Sequence, residues 1–348
     1  EVAEYRPAEF KVGVESDQPS YVRGARASWT VRGDYLYGAP MAGALAEVVV
    51  MRNPTWFTPK GLTGFSTSDG AYLSDLPDRG MGNPQLVSSR AKLDAKGAAS
   101  ASARLELPGM TGPERVTAYL DVRDVTRQTI SGQTTAIVHP AAHYAAIAVK
   151  DWFVPAGSDV AVEVLAVKPD GERVLGKPLK VSLIQRKWTS AKQQSGYGVA
   201  TSVASVVDTV VTTCERTSAK AAQTCTFTPK ESGYYLVRVE SADDQKNPVA
   251  ASREIYVTGQ GTSRYAHWDS SDEARVSLVR DRDFYQVGDT AKLLVKTPYQ
   301  KAEALLTIEK EGILEQRIVT VGAGAPTIDV PIGEKMRPNA YVSLLLLR

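Results

Sequence analysis

The chain has 348 residues, of which 43% are hydrophobic and 23% charged, a composition that supports two or three well-cored domains and excludes a disordered chain. Lys plus Arg number 41 and Asp plus Glu 39, a net charge of +2, and with no clustered Lys or Arg this leaves no electrostatic footprint for nucleic acid or an anionic membrane. No apolar run approaches the ~18 residues of a membrane helix.

The N-terminal EVAEYRPAEF lacks the basic start and apolar run of a signal peptide. The expectation is that a leader has been removed or that the chain is an internal part of something longer. FKVGVES and RASWTVRGDYLY read as strands. The second ends in Asp34-Tyr-Leu-Tyr-Gly-Ala-Pro-Met-Ala-Gly43, where Gly38 supplies unusual backbone angles and Pro40 cannot donate to a ladder. Such a turn suits an active-site loop or a packing corner. From residue 53 to 93 the chain is rich in Gly, Pro, Ser and Asp and reads as a long insertion. Trp56, Phe57, Phe65 and Tyr72 are available to pin it to the sandwich, and a large ordered surface excursion is the favoured reading over a functional loop.

Further strands follow in VTAYLDVRDV, DVAVEVLAV, PLKVSLIQRKW, YYLVRVES, AKLLVKT and AYVSLLLL, with turn signals between them and no useful amphipathic helix. The chain is all-β. Tyr21-Val-Arg-Gly24, Val154-Pro-Ala-Gly157 and Tyr285-Gln-Val-Gly288 share one plan, a strand, a hydrophobic-x-x-Gly turn and a second strand. The three glycines recur about 130 residues apart, as in a string of β-sandwiches, and each is expected at positive φ. The fold class is therefore tandem antiparallel β-sandwich domains of the fibronectin/Ig-like type. The boundaries are 1–140, with the insertion near 53–93, then 141–260 and 268–348. SGQTTAIVHPAAH and TGQGTSRYAHWDSSDE are the proposed linkers. By the standard of the first two modules the third lacks a last strand, so it is expected to be C-terminally truncated.

Cys214 and Cys225 stand at two β-favouring ends joined by a small, polar loop. That placement suits a disulfide, worth roughly 2–4 kcal/mol, and favours an oxidising compartment; the alternative is a pair of free thiols. Catalytic signals are thin, and no metal or other cofactor is expected. His139-x-x-x-His143 has metal-ligand spacing, but Pro140 opposes the helix that would align the rings. Asp281, Asp283 and Asp289 lack calcium-loop spacing and alternate with Arg280 and Arg282. GAGAP at 322–326 is not a phosphate loop. The chain is expected not to be an enzyme.

The stretch EYRPAEFKVGVES…YVRGARASWTVRGDYLYGAPMAGALAEVVV resembles the start of a macroglobulin-like domain of the alpha-2-macroglobulin family. Pro7, Phe10, Val12, Tyr35, Tyr37, Gly38, Pro40, Gly43 and Ala44 carry the match. CERTSAKAAQTCTFTPKESGYYLVRVES in the second module resembles the family's Cys…Cys-x-Phe-x-Pro-x-x-x-Gly-Tyr-Tyr run, and DRDFYQVGDTAKLLVKTPYQ with PNAYVSLLLLR in the third resembles the bacterial branch. The resemblance implies a non-catalytic scaffold piece of a broad-spectrum protease-trapping inhibitor, periplasmic in Gram-negative bacteria and serving defence. Its partners would be target proteases, through the full-length protein, and other domains of the same chain. Any membrane association would run through an anchor outside this chain. The bait-containing domain is expected beyond Arg348. No Cys-x-Glu-Gln thioester motif is present; Leu314-Glu315-Gln316 follows Ile313. On this reading Tyr35, Tyr37, Gly38 and Pro40 form a structural corner. Tyr35 and Tyr37 share one face near Pro40, and Tyr37→Ala is expected to cost about 3 kcal/mol by core truncation. Two other readings of the array are an adhesin of Ig-like modules and a sugar-binding module using Trp56, Phe57 and Tyr72.

Overall fold

A computed structural model of the chain describes residues 8–76, 83–194, 200–258, 276–282, 284–297, 301–322 and 327–347. The first module contains β1 (Phe10–Ser16), β2 (Ser20–Val22), β3 (Arg26–Tyr35), β4 (Leu45–Pro54), the short helix α1 (Gly70–Leu73), β5 (Gln85–Lys92), β6 (Ala98–Arg104), β7 (Glu114–Arg123) and β8 (Thr129–His139). Alternation decides which side chains enter the core. Along β3 the buried residues are Ala27, Trp29 and Val31, and along β4 they are Ala46, Val48 and Val50. These residues fill the space between sheet β1-β3-β6 and sheet β2-β8-β7-β4-β5.

The second module runs through β9 (Tyr144–Val149), β10 (Phe153–Pro155), β11 (Val160–Val167), β12 (Pro178–Gln194), β13 (Ala200–Thr217), β14 (Gln223–Phe227), β15 (Gly233–Ala242) and β16 (Pro248–Thr258). Its sheets, β9-β11-β14 and β10-β16-β15-β12-β13, repeat the first module strand for strand. Even the parallel pairing of β2 on β8 returns as β10 on β16. The third module has β17 (Ser277–Arg280), β18 (Thr290–Lys296), β19 (Lys301–Glu309), β20 (Ile313–Gly322), β21 (Thr327–Pro331) and β22 (Tyr341–Leu347). Its sheets, β17-β18-β21 and β20-β19-β22, reproduce the same plan over the strands it shares. Gly24, Gly157 and Gly288 have φ of 85°, 84° and 96°, a region open to glycine at no steric cost, so the recurring glycine has one backbone cause.

In the first and third modules this turn is tied by a tyrosine. The Tyr21 hydroxyl donates to Asp17 and accepts from the Gln18 N–H at 3.2 Å, while Asp17 also accepts from the Ser28 N–H at 2.7 Å. Tyr285 donates to Asp281 at 2.7 Å and accepts from the Arg282 N–H, and Asp281 accepts from the Lys292 N–H at 2.9 Å. Asp-x-x-x-Tyr-x-x-Gly was thus a legible signal; the second module has Lys150 and Val154 at those places. Tyr21→Phe is expected to cost about 1 kcal/mol, the net worth of one such hydrogen bond, in urea unfolding followed at first-module amides.

Three sequence expectations are corrected. QLVSSRAK, placed inside the insertion, is edge strand β5 paired with β4, so the excursion is confined to residues between β4 and β5. The polar residues of an edge strand hid its alternation. SGQTTAIVHPAAH is mostly strand β8, with only residues 140–143 between it and β9; the second proposed linker lies almost wholly outside the described residues. Finally, Tyr37 is not a core residue. It stacks on Tyr35 with ring centroids 5.3 Å apart, but it is 80% exposed. The corner is closed by backbone, with the Tyr35 N–H donating to Ala39 and the Met41 N–H to Gly33, and its buried anchor is Met41. Tyr37→Ala is therefore expected to change stability by less than about 1 kcal/mol, as read by a thermal melt.

Candidate functional site at the junction of the modules

The described part of the first module's excursion leaves its own sandwich after Phe57, which still touches His139 of β8. It crosses to the second module and binds its two sheets as a strap. The first half lies against the outer face of β9 and β11, where Leu62, Phe57 and Phe65 pack with Tyr144, Ala146, Leu165 and Val167. Phe57 meets the His139 ring edge-on at 4.6 Å and stacks on Tyr144 at 5.8 Å. Ser66 then exchanges both backbone hydrogen bonds with Ile147, at 2.8 and 2.9 Å, adding one residue to the open edge of β9.

The second half crosses to the large sheet. The Ser252 N–H of β16 donates to the Ser68 carbonyl at 2.9 Å, and the Tyr72 N–H donates to the Ser252 hydroxyl at 2.9 Å. The strap therefore spans the gap between β9 and β16, one open side of the sandwich. On the other side β13 and β14 are joined by the Cys214–Cys225 disulfide, so a covalent bridge and the strap close opposite flanks of the same module.

Two arginines on the outward face of the large sheet receive the strap. Arg238 donates to both carboxylate oxygens of buried Asp69, at 3.0, 3.0 and 2.8 Å, and to Glu240 at 2.6 Å. Burial pushes the Asp69 carboxyl up and the hydrogen bonds from Arg238 pull it back. Arg186, fully buried, donates to both oxygens of Asp208 at 2.8 and 2.9 Å, to Asp75 at 3.0 Å and to the Tyr72 carbonyl at 2.8 Å. Burial alone works against its charge, yet Asp208 and Asp75 hold its pKa above the ordinary arginine value. The Tyr72 ring lies under both guanidinium groups, 4.2 Å from Arg238 and 5.2 Å from Arg186, a cation–π arrangement strengthened by exclusion of water.

Between the first two modules Pro140, Ala141 and His143 are buried too, while Ala142 is exposed. His139 and His143 each spend a ring nitrogen on a hydroxyl, Tyr144 at 2.7 Å and Ser241 at 3.2 Å. Among the described residues no group of three or more metal-ligating side chains converges. Gly171, with φ of 96°, faces the strap so closely that an added Cβ would sit 2.1 Å from the Lys60 carbonyl oxygen. Gly171→Ala is expected to cost about 2 kcal/mol through backbone strain and displacement of the strap, seen as faster trypsin cleavage at Lys60.

The three-module sandwich chain, with its repeated topology, can now be set beside known proteins. The bacterial macroglobulin domain 6 family model matches residues 148–258, and the alpha-2-macroglobulin bait region domain model matches 276–348. The chain belongs to the alpha-2-macroglobulin family. An alpha-2-macroglobulin homolog of Nostoc is 28% identical over all of this chain and 18% of its own length. The alpha-2-macroglobulin of Ralstonia nicotianae is 29% identical over 24% of this chain and 6% of its own length. The native E. coli alpha-2-macroglobulin matches 99% of the chain at a TM-score of 0.52 and 20% identity, a likeness of fold, with 22% of that protein covered. The chain thus spans about a fifth of the length of these relatives. The bait region match also corrects the expectation that the bait-containing domain begins only beyond Arg348, since the third module already carries the matching sequence.

Of the residues singled out in the sequence, Cys214 and Cys225 flank one open side of the second module. Tyr35, Tyr37, Gly38 and Pro40 form the corner of the first module and take no part in the strap contacts described. Of the proposed sugar platform, Trp56 is 91% exposed while Phe57 and Tyr72 are engaged with the second module, which breaks the platform up. Asp69, Arg186 and Arg238 were missed. The signal for them is that GYYLVRVES in β15 is apolar on both faces, with Tyr235, Val237 and Val239 inward and Tyr234 and Leu236 outward. A strand of that kind belongs to a sheet covered on both sides.

Proposed function

We propose that the chain is a non-catalytic scaffold section of a protease-trapping inhibitor working in an oxidising, periplasmic compartment. The observation that carries this reading is that the module matched by the bait region domain packs on the same face of the second module as the strap from the first. The modules are then held as one frame able to pass a displacement along the chain. Fixed interfaces of this kind also favour a trap scaffold over an adhesin-type array, whose modules move freely on linkers.

The test is limited proteolysis of a polypeptide extended past residue 348 to the length of its relatives. Cut sites are mapped by mass spectrometry and shape is followed by X-ray scattering. Preferential cutting of one segment by several unrelated proteases, with a change of shape, is expected. Scattered cutting at linkers with shape unchanged would reject the trap.

A further inference from the structure

We propose that the strap of the first module and the third module are energetically coupled through the outer face of β12, β15 and β16, so that displacing either one loosens the other. The strap delivers Ala71 and Tyr72 to this face, and the third module delivers Val279 and Leu294, which are directly paired across β17 and β18. All four join one contiguous cluster with Ile184, Tyr234, Leu236 and Tyr256. Alternation along β18 sends Leu293 and Val295 into the third module's own core and Leu294 and Lys296 outward. The Lys296 ammonium stands 4.6 Å from the Tyr256 ring and 5.6 Å from Tyr234.

The same aromatic layer touches the strap's anchors. Tyr234 packs on Tyr256 at 5.2 Å and on Trp188 at 5.0 Å, and Trp188 lies in the same outward row of β12 as Arg186. Removing the third module would wet Tyr234 and Tyr256. A wetter face raises the local dielectric around Arg186, Asp75 and Asp208 and weakens the ion pairs that hold the strap. Conversely, loss of Tyr72 uncovers the aromatic layer from the other side and weakens the seat of Leu294. Two occupants that each keep water from a shared face bind it cooperatively, and the coupling must be reciprocal. Its use in relaying displacement rests on the scaffold reading above. The coupling itself is measured on residues 1–348 without protease, so either idea fails without the other.

The experiment is amide hydrogen exchange of the chain and its variants. In Leu294→Ala the amides of Tyr72 and Ser252, which close the strap, are expected to exchange at least about fivefold faster, as a coupling of modest size gives. Tyr72→Ala should accelerate β18 by a similar factor. Lys296→Gln, which leaves the third module's core untouched, should act in the same direction with smaller size. If Leu294→Ala loosens or unfolds the third module while the strap keeps the parent rate, the proposal is overturned. Unchanged β18 exchange in Tyr72→Ala overturns it equally. Tyr21→Phe, remote from the shared face, must leave residues 66–76 at the parent rate; acceleration there would mean general loosening and also reject the coupling.

Discussion

Replacing Arg186 with methionine is expected to destabilise the second module by about 3 kcal/mol, the lower end of the cost of breaking a buried ion pair from one side. Methionine keeps much of the volume, so the loss is electrostatic. Asp208 and Asp75 are left facing an apolar sheet without their donor, and the Tyr72 carbonyl loses its partner. The lower end applies because the acceptors are not sealed: Asp208 is 20% and Asp75 28% exposed, against 0% for Arg186. Arg90, paired with Glu47 on the surface and 69% exposed, supplies the comparison, and Arg90→Ala should leave the stability close to that of the parent, because water and salt screen an exposed pair. Urea unfolding followed by hydrogen exchange of β12 and β15 peptides separates the two. Neutralising the orphaned acids in Arg186→Met with Asp75→Asn and Asp208→Asn should restore part of the loss. A single variant as mild as Arg90→Ala would show that the network contributes no more than a surface pair.

The second large effect is one of pH. His139 is buried against Phe57 and Tyr144, and burial lowers its pKa from the ordinary 6.5 to about 4. The folded chain therefore resists a proton that the unfolded chain accepts. Stability from this group is fully present above about pH 6.5, is lost as pH falls towards 4, and changes no further below that. The span corresponds to about 3 kcal/mol. His143, lowered chiefly by burial and also by Lys177 against the opposing pull of Asp243 and Asp244, acts in the same direction. The measurement is the urea midpoint of strap protection between pH 7 and 4 in the parent and in His139→Gln. A parent slope across this window that flattens in the variant is expected; equal slopes would place the proton uptake elsewhere.

Sequence and structure divide the explanation along a physical line. Period-two patterns along β3, β4 and β11 specify strands because alternation is local, and a recurring glycine at positive φ marks the same turn in each module because backbone sterics are local. The repeat followed from these, and so did three sandwiches. The cysteines, eleven residues apart, likewise lie within reach of a local argument, since a short connection joins β13 and β14, the two strands that carry them. The destination of the strap did not. Phe57, Phe65 and Tyr72 were legible as anchors, but nothing in their composition says whether they pin their own sandwich or its neighbour. That choice is made by complementary surfaces brought together by the fold: the open edge of β9, the Ser252 hydroxyl, and guanidinium groups of β12 and β15 in register with Asp69 and Asp75. Tyr37 shows the reverse case. Its residue type suggested a core, yet the turn's own backbone hydrogen bonds and Met41 close the corner and leave the ring on the surface. Residue chemistry along the chain determined that this protein is a row of β-sandwiches. Which face each one buries, and against which neighbour, was decided only by tertiary packing, because burial depends on residues more than a hundred positions away in sequence, such as Asp69 and Arg238.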